Sequence, residues 1–72
     1  MADKMRWFRT YHNGMPLTAT VIRNPYGRYS VSVWTNIDGK KHPMFDNNYK
    51  DERGAVRALS TRFRGAEWEE FT

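Results

Sequence analysis

Arg28-Tyr29-Ser30-Val31-Ser32-Val33-Trp34-Thr35-Asn36, set between two turn signals, decides the fold. Tyr29, Val31 and Val33 alternate with Ser30, Ser32 and Trp34, and a strand's two-residue period sends the two sets to opposite faces. One face is aliphatic and suited to a core. The other is small and polar around one large aromatic, which makes it the candidate functional face of a central strand.

The neighbouring stretches fall into register around it. Residues 17–23 end at Asn24-Pro25-Tyr26-Gly27, where proline suits the second position of a type I turn and glycine the left-handed position that follows. A three-residue loop with a bulge at Gly27 sets Val21 against Val31 and Ala19 against Val33, with Thr20 against Ser32 and Thr18 against Trp34. A slip of one residue would mix aliphatic and polar on both faces. Upstream, residues 5–11 hold the strand formers Trp7, Phe8, Thr10 and Tyr11, and the Asn13-Gly14 turn brings Phe8 to Ala19, Trp7 to Thr20 and Tyr11 to Pro16. Downstream, Asp38-Gly39 returns residues 40–45 along the central strand, with Val33 against Met44, Trp34 against Pro43 and Ser32 against Phe45. Pro43 lacks an N–H, which marks this strand as an edge.

From Asp51 the period becomes helical. Ala55, Val56, Leu59 and Phe63 share one stripe, Asp51 caps the start and Gly65 ends it, giving a helix over about residues 51–64. Gly54 weakens its first turn by about 1 kcal/mol relative to alanine. The stripe covers Leu17, Ala19, Val21, Val31 and Val33. The acidic, aromatic tail, residues 66–72, fits a short strand, a helical continuation or a coil packed by Trp68. The expected fold is α+β: an antiparallel three- to four-stranded meander, strands about 5–11, 17–23, 28–36 and 40–45, with one C-terminal helix packed on one face. Residues 1–72 read as one domain.

A chain of 72 residues buries only about 60% of its unfolded surface, so a partner or a second copy in a homodimer would reinforce a marginal core. With no cysteine, disulfide frameworks and thiolate metal sites are excluded, and a cytoplasmic setting is expected. Met1-Ala2-Asp3-Lys4-Met5-Arg6-Trp7 lacks the apolar core of a signal peptide, and no run reaches the roughly 18 apolar residues of a membrane span. The net charge of +4 is uneven: residues 1–64 carry all 12 Lys and Arg against five acids, while the last eight residues carry Glu67, Glu69 and Glu70. A basic body favours nucleic acid or an acidic host protein as partner.

The registers collect Trp7, Arg9, Thr18, Thr20, Ile22, Ser32, Trp34, Asn36, Lys41, Pro43 and Phe45 on the face away from the helix. Rings interleaved with cations and hydroxyls suit nucleic acid, where bases stack and phosphates pair with cations. The competing reading covers the same rings with the tail or a second copy. Arg53, Arg57, Thr61 and Arg64 align along the helix as a second candidate surface, which becomes the primary one if Trp34 is core; the plain reading is a solvated helix face. His12 and His42 have no partners at ligand spacing, so neither a metal nor a cofactor is expected. Phosphate loops, nucleophile elbows and paired carboxylates are absent, and no catalytic residue is expected. Only His42 with Lys40, Lys41 and Tyr49 offers ribonuclease-type acid and base groups.

The run Tyr26-Gly27-Arg28-Tyr29-Ser30-Val31-Ser32-Val33, then Asp38-Gly39-Lys40-Lys41, then Tyr49-Lys50-Asp51-Glu52-Arg53-Gly54-Ala55 resembles the amino-terminal DNA-binding domain of tyrosine integrases. That resemblance implies a three-stranded sheet backed by a helix and set in the major groove, with Arg28, Ser30, Ser32, Trp34, Lys40 and Lys41 as DNA contacts. It does not imply recombination. The outline is also similar to small phage inhibitor proteins such as anti-CRISPRs, a likeness of architecture alone. The leading expectation is therefore a non-enzymatic nucleic-acid-binding module of phage or mobile-element origin, contacting its partner through Trp7, Arg9, Arg28, Ser32, Trp34, Lys40, Lys41 and Phe45. The alternatives are a protein-binding inhibitor or adaptor of a host complex using the same patch and, third, a ribonuclease toxin.

Overall fold

The computed structural model describes residues 4–71. Residues 1–3 and Thr72 lie outside it, and so do the parts of the amino-terminal leader reading and of the tail that fall on them. Five strands and one helix follow in the order β1 (Arg6–His12), β2 (Met15–Arg23), β3 (Tyr29–Ile37), β4 (Lys40–Tyr49), α1 (Glu52–Arg62) and β5 (Glu69–Phe71). They form one antiparallel sheet ordered β4-β3-β2-β1-β5, and α1 lies across one face over β2, β3 and β4. The α+β meander with a single helix is the fold, widened by a fifth strand that the tail supplies.

The turns fix the registers. At Asn13-Gly14 φ is 54° and 75°, and at Asp38-Gly39 it is 53° and 76°. Two positive φ values in a two-residue loop give the type I′ backbone that matches strand twist. Between β2 and β3, Oδ1 of Asn24 accepts the N–H groups of Tyr26 at 2.9 Å and Arg28 at 3.1 Å. The Gly27 N–H bonds the Asn24 carbonyl at 3.0 Å, with Gly27 at φ 76°, where a side chain would be strained. β1–β2 and β2–β3 accordingly pair in the expected registers, Phe8 with Ala19, Thr18 with Trp34 and Val21 with Val31 among them.

β4 departs from expectation in length and in register. It runs to Tyr49, and a bulge between Val33 and Trp34 leaves Met44 unpaired, so that Trp34 faces Pro43 while Val33 faces Phe45 and Ser32 faces Asp46. Phe45 therefore lies on the helix side, not on the outer face where the sequence pattern places it. The physical reason is in the residues that follow. Without the extra residue, Met44, Asp46 and Asn48 would point under the helix, burying a carboxylate; with it, Phe45, Asn47 and Tyr49 do so and Asp46 stays outside.

Asp51 caps α1, its Oδ1 accepting the Gly54 N–H at 2.7 Å. A Cβ on Gly54 would sit 3.1 Å from that oxygen, so glycine keeps the cap open at some cost in helix propensity. The helix ends at Arg62, two residues short of the expected limit, which puts Arg64 in the following turn. Ala55, Leu59 and Phe63 close over Phe8, Leu17, Ala19, Val21, Val31 and Val33, the buried core. The Trp68 indole N–H donates to the Leu59 carbonyl at 3.1 Å, and its ring meets Phe63 edge-on at 5.9 Å. Trp68 thus seals the helix end and takes no part in covering the outer face.

Candidate nucleic-acid interface

The outer face is a row of rings flanked by polar pairs. Trp7 on β1 stands between Trp34 on β3, at 6.0 Å and 82°, and Phe71 on β5, at 6.1 Å. Lys41 lies with Nζ 4.0 Å from the centre of the Trp34 ring, and the Arg9 guanidinium 4.9 Å from that of Phe71. These contacts occupy the rings. Trp34 is only 9% exposed although no helix or strand among the described residues covers it, because Trp7 and Lys41 close over it. A base can stack on Trp34 only by displacing Lys41, so this residue is structural first, a correction to its reading as a contact residue that is functional more than structural.

Polar groups beside the row are also engaged. The Ser32 hydroxyl donates to Asp46 Oδ1 at 2.6 Å, and that of Ser30 to Asn48 Oδ1 at 2.7 Å. Asp46 brings a carboxylate onto the face implied to meet DNA. Stopping β4 at residue 45 hid it; the alternation of Phe45, Asn47 and Tyr49 with Asp46 and Asn48 was the signal. Phe71, likewise missed, reaches the face because the tail pairs with β1, Trp7 opposite Phe71 and Arg9 opposite Glu69.

That pairing changes the electrostatics of Arg9. Its Nε donates to Glu69 at 2.9 Å, while Arg6 donates twice to Glu70, at 2.8 and 2.7 Å, and lies 3.5 Å from Glu52. The hydrogen bonds from Arg6 hold the Glu70 carboxyl below its ordinary value, and those to Glu70 raise the Arg6 guanidinium further above its own. A hollow of about 500 Å³ at this end, bordered by Arg9, Thr10 and Leu17, also takes in Glu67 and Glu69, the wrong charge for a polyanion.

The remaining candidates are exposed and lie elsewhere. Arg28 leads into β3, Lys40 and Lys41 start β4, Arg53 and Arg57 ride on α1, and Arg64 follows it. Arg62, not singled out in the sequence, joins them with its guanidinium 5.4 Å from the centre of the Phe45 ring. Among the described residues none of these seven makes an ion pair within 4.0 Å. His12 packs edge-on to Phe63 at 5.9 Å, and His42 sits on β4 opposite Thr35. Among the described residues no three His, Asp or Glu side chains gather as metal ligands, and no helix is long and apolar enough to cross a membrane. Comparison with known proteins finds no matching family model, no matching curated protein and no matching solved structure.

Proposed function

We propose that the protein is a non-enzymatic nucleic-acid-binding module whose phosphate contacts come from the β4 and α1 side of the molecule. The observation that carries this reading is the division of charge. At the β5 edge, Arg6 and Arg9 are matched by Glu52, Glu69 and Glu70. Residues 23–64 hold nine Lys and Arg against four acids. Of those acids Asp51 caps the helix, Asp46 accepts from Ser32 and Glu52 faces Arg6. The unmatched cations attract a polyanion and release its counterions on binding.

A salt series with random-sequence oligonucleotides tests this. The logarithm of affinity should fall linearly with the logarithm of salt, with a slope steeper than about −2, equivalent to roughly three or more phosphates on a single strand. Absence of binding at low salt would overturn the reading. One observation favours a second reading, in which an acidic host protein is the partner: the outer face is covered by no element among the described residues, and Trp7, Ile22 and Phe71 remain half-buried there. On that reading Trp7→Ala abolishes partner capture and leaves oligonucleotide binding unchanged.

A further inference from the structure

Between α1 and β4, at the edge of the sheet, lies a groove of about 360 Å³. Phe45, Asn47 and Tyr49 line one wall, and Arg57, Thr61 and Arg62 the other. Gly54 and Ala58 complete the lining, and their small size leaves the groove open between the two walls. Among the described residues no carboxylate lines it.

We infer that this groove receives an unpaired base of single-stranded nucleic acid, with the flanking phosphates held by Arg57 and Arg62. The proposal rests on the nucleic-acid reading and names the part of the ligand that is recognised. Its volume is in the range of small-ligand sites, and two half-buried aromatic rings give a planar apolar guest a surface to stack on. The bulge at Met44 puts those rings here. Arg62 lies over the Phe45 ring with its guanidinium 5.4 Å from the centre, so a base reaches that face as Arg62 swings out to pair with the phosphate, whereas Tyr49 carries no cation over its ring among the described residues. Asn47 supplies an edge contact: its Oδ1 accepts the Asn48 N–H at 2.8 Å, while its amide nitrogen has only a long 3.5 Å contact to the Tyr49 hydroxyl. That nitrogen is a donor available to a base carbonyl.

The two unmatched arginines and the lack of acid select an anionic guest over a neutral or basic peptide. Duplex bases are stacked and paired, so the groove favours single strands over duplex of the same length.

The test compares the full chain binding a labelled oligothymidylate of about 12 nucleotides with an abasic strand of equal length and charge. Wild type should prefer the base-bearing strand by about 5- to 100-fold. Phe45→Leu, which keeps apolar volume but removes the ring, should erase most of that preference and leave the abasic affinity unchanged. Arg57→Gln with Arg62→Gln should weaken both strands and make the salt slope shallower by about 1 to 1.5. A measurement on wild type needs no variant: ring proton resonances of Phe45 and Tyr49 should move on adding oligothymidylate and stay put with the abasic strand. Should Phe45→Leu fail to fold, that measurement decides. Equal affinity for both strands, or ring shifts confined to Trp7 and Trp34, would overturn the groove while leaving the nucleic-acid reading standing. No binding of either strand at low salt would defeat both and leave a protein partner.

Discussion

Trp34 shows how a side chain on the outer face of a sheet becomes core with only neighbouring side chains, and no described helix or strand, lying on it. Its neighbours fold inward, Trp7 edge-on and Lys41 over the ring, and 9% exposure results. Trp34→Ala should therefore destabilise the protein by about 3 to 5 kcal/mol in chemical denaturation, the range for a buried tryptophan. A loss below about 1 kcal/mol would restore it as an exposed contact residue. Leu59, 1% exposed under the helix, should cost about 2 to 5 kcal/mol as Leu59→Ala. The two positions differ in legibility. Helical spacing with Ala55 and Phe63 announces Leu59, whereas period two tells only which face Trp34 is on, and burial there depends on contacts between side chains from β1 and β4. Phe45 was misplaced for a related reason: alternation is blind to a bulge, and only the need to keep Asp46 out of the core selects one.

Among the elements, β5 is the one whose form the sequence left open, and it shows why. Three residues have little strand propensity to read; what holds them is pairing to β1 and the side-chain contacts of Glu69 with Arg9 and Glu70 with Arg6. Because hydrogen bonding from Arg6 lowers the Glu70 carboxyl, the folded state binds that proton less readily than the unfolded chain. The pair's contribution is thus complete above the ordinary glutamate range and disappears as pH falls through the depressed folded value. A carboxyl-detected titration should place Glu70 below an ordinary glutamate, and Arg6→Gln should return it upward. If the protein binds nucleic acid as proposed, the same pairing sets the tail in competition with the polyanion for Arg6 and Arg9. Glu69→Gln with Glu70→Gln should tighten oligonucleotide binding at low salt, an effect that fades as salt rises; unchanged binding in a folded variant would leave β5 a packing role only. The helix start was legible in full, and Asp51→Ala should cost about 0.5 to 2 kcal/mol by thermal or chemical unfolding.

For the molecule as a whole, the turns made three of the four sheet pairings foreseeable in outline, β1–β2 and β2–β3 residue by residue and β3–β4 as far as Pro43. The candidate site was less legible, since charge in a sequence says nothing about which cations are already matched. Only the folded chain shows Arg6 and Arg9 paired with Glu52, Glu69 and Glu70 while Lys40 and Lys41 on β4 and Arg53, Arg57 and Arg62 on α1 make no ion pair among the described residues. The unpaired Met44 also bears on how long this chain has to be. It occupies a place in β4 but no place in the ladder and is 42% exposed, so removing it would leave Pro43 opposite Trp34 and Phe45 opposite Val33. Removing Asp46 instead would turn Asn47 outward and Asn48 inward. A chain one residue shorter at position 44 should keep its fold, and the same loss two positions on should invert everything from there to the turn before α1. Natural variation in length, where this sheet has drifted, is expected to collect at that single point.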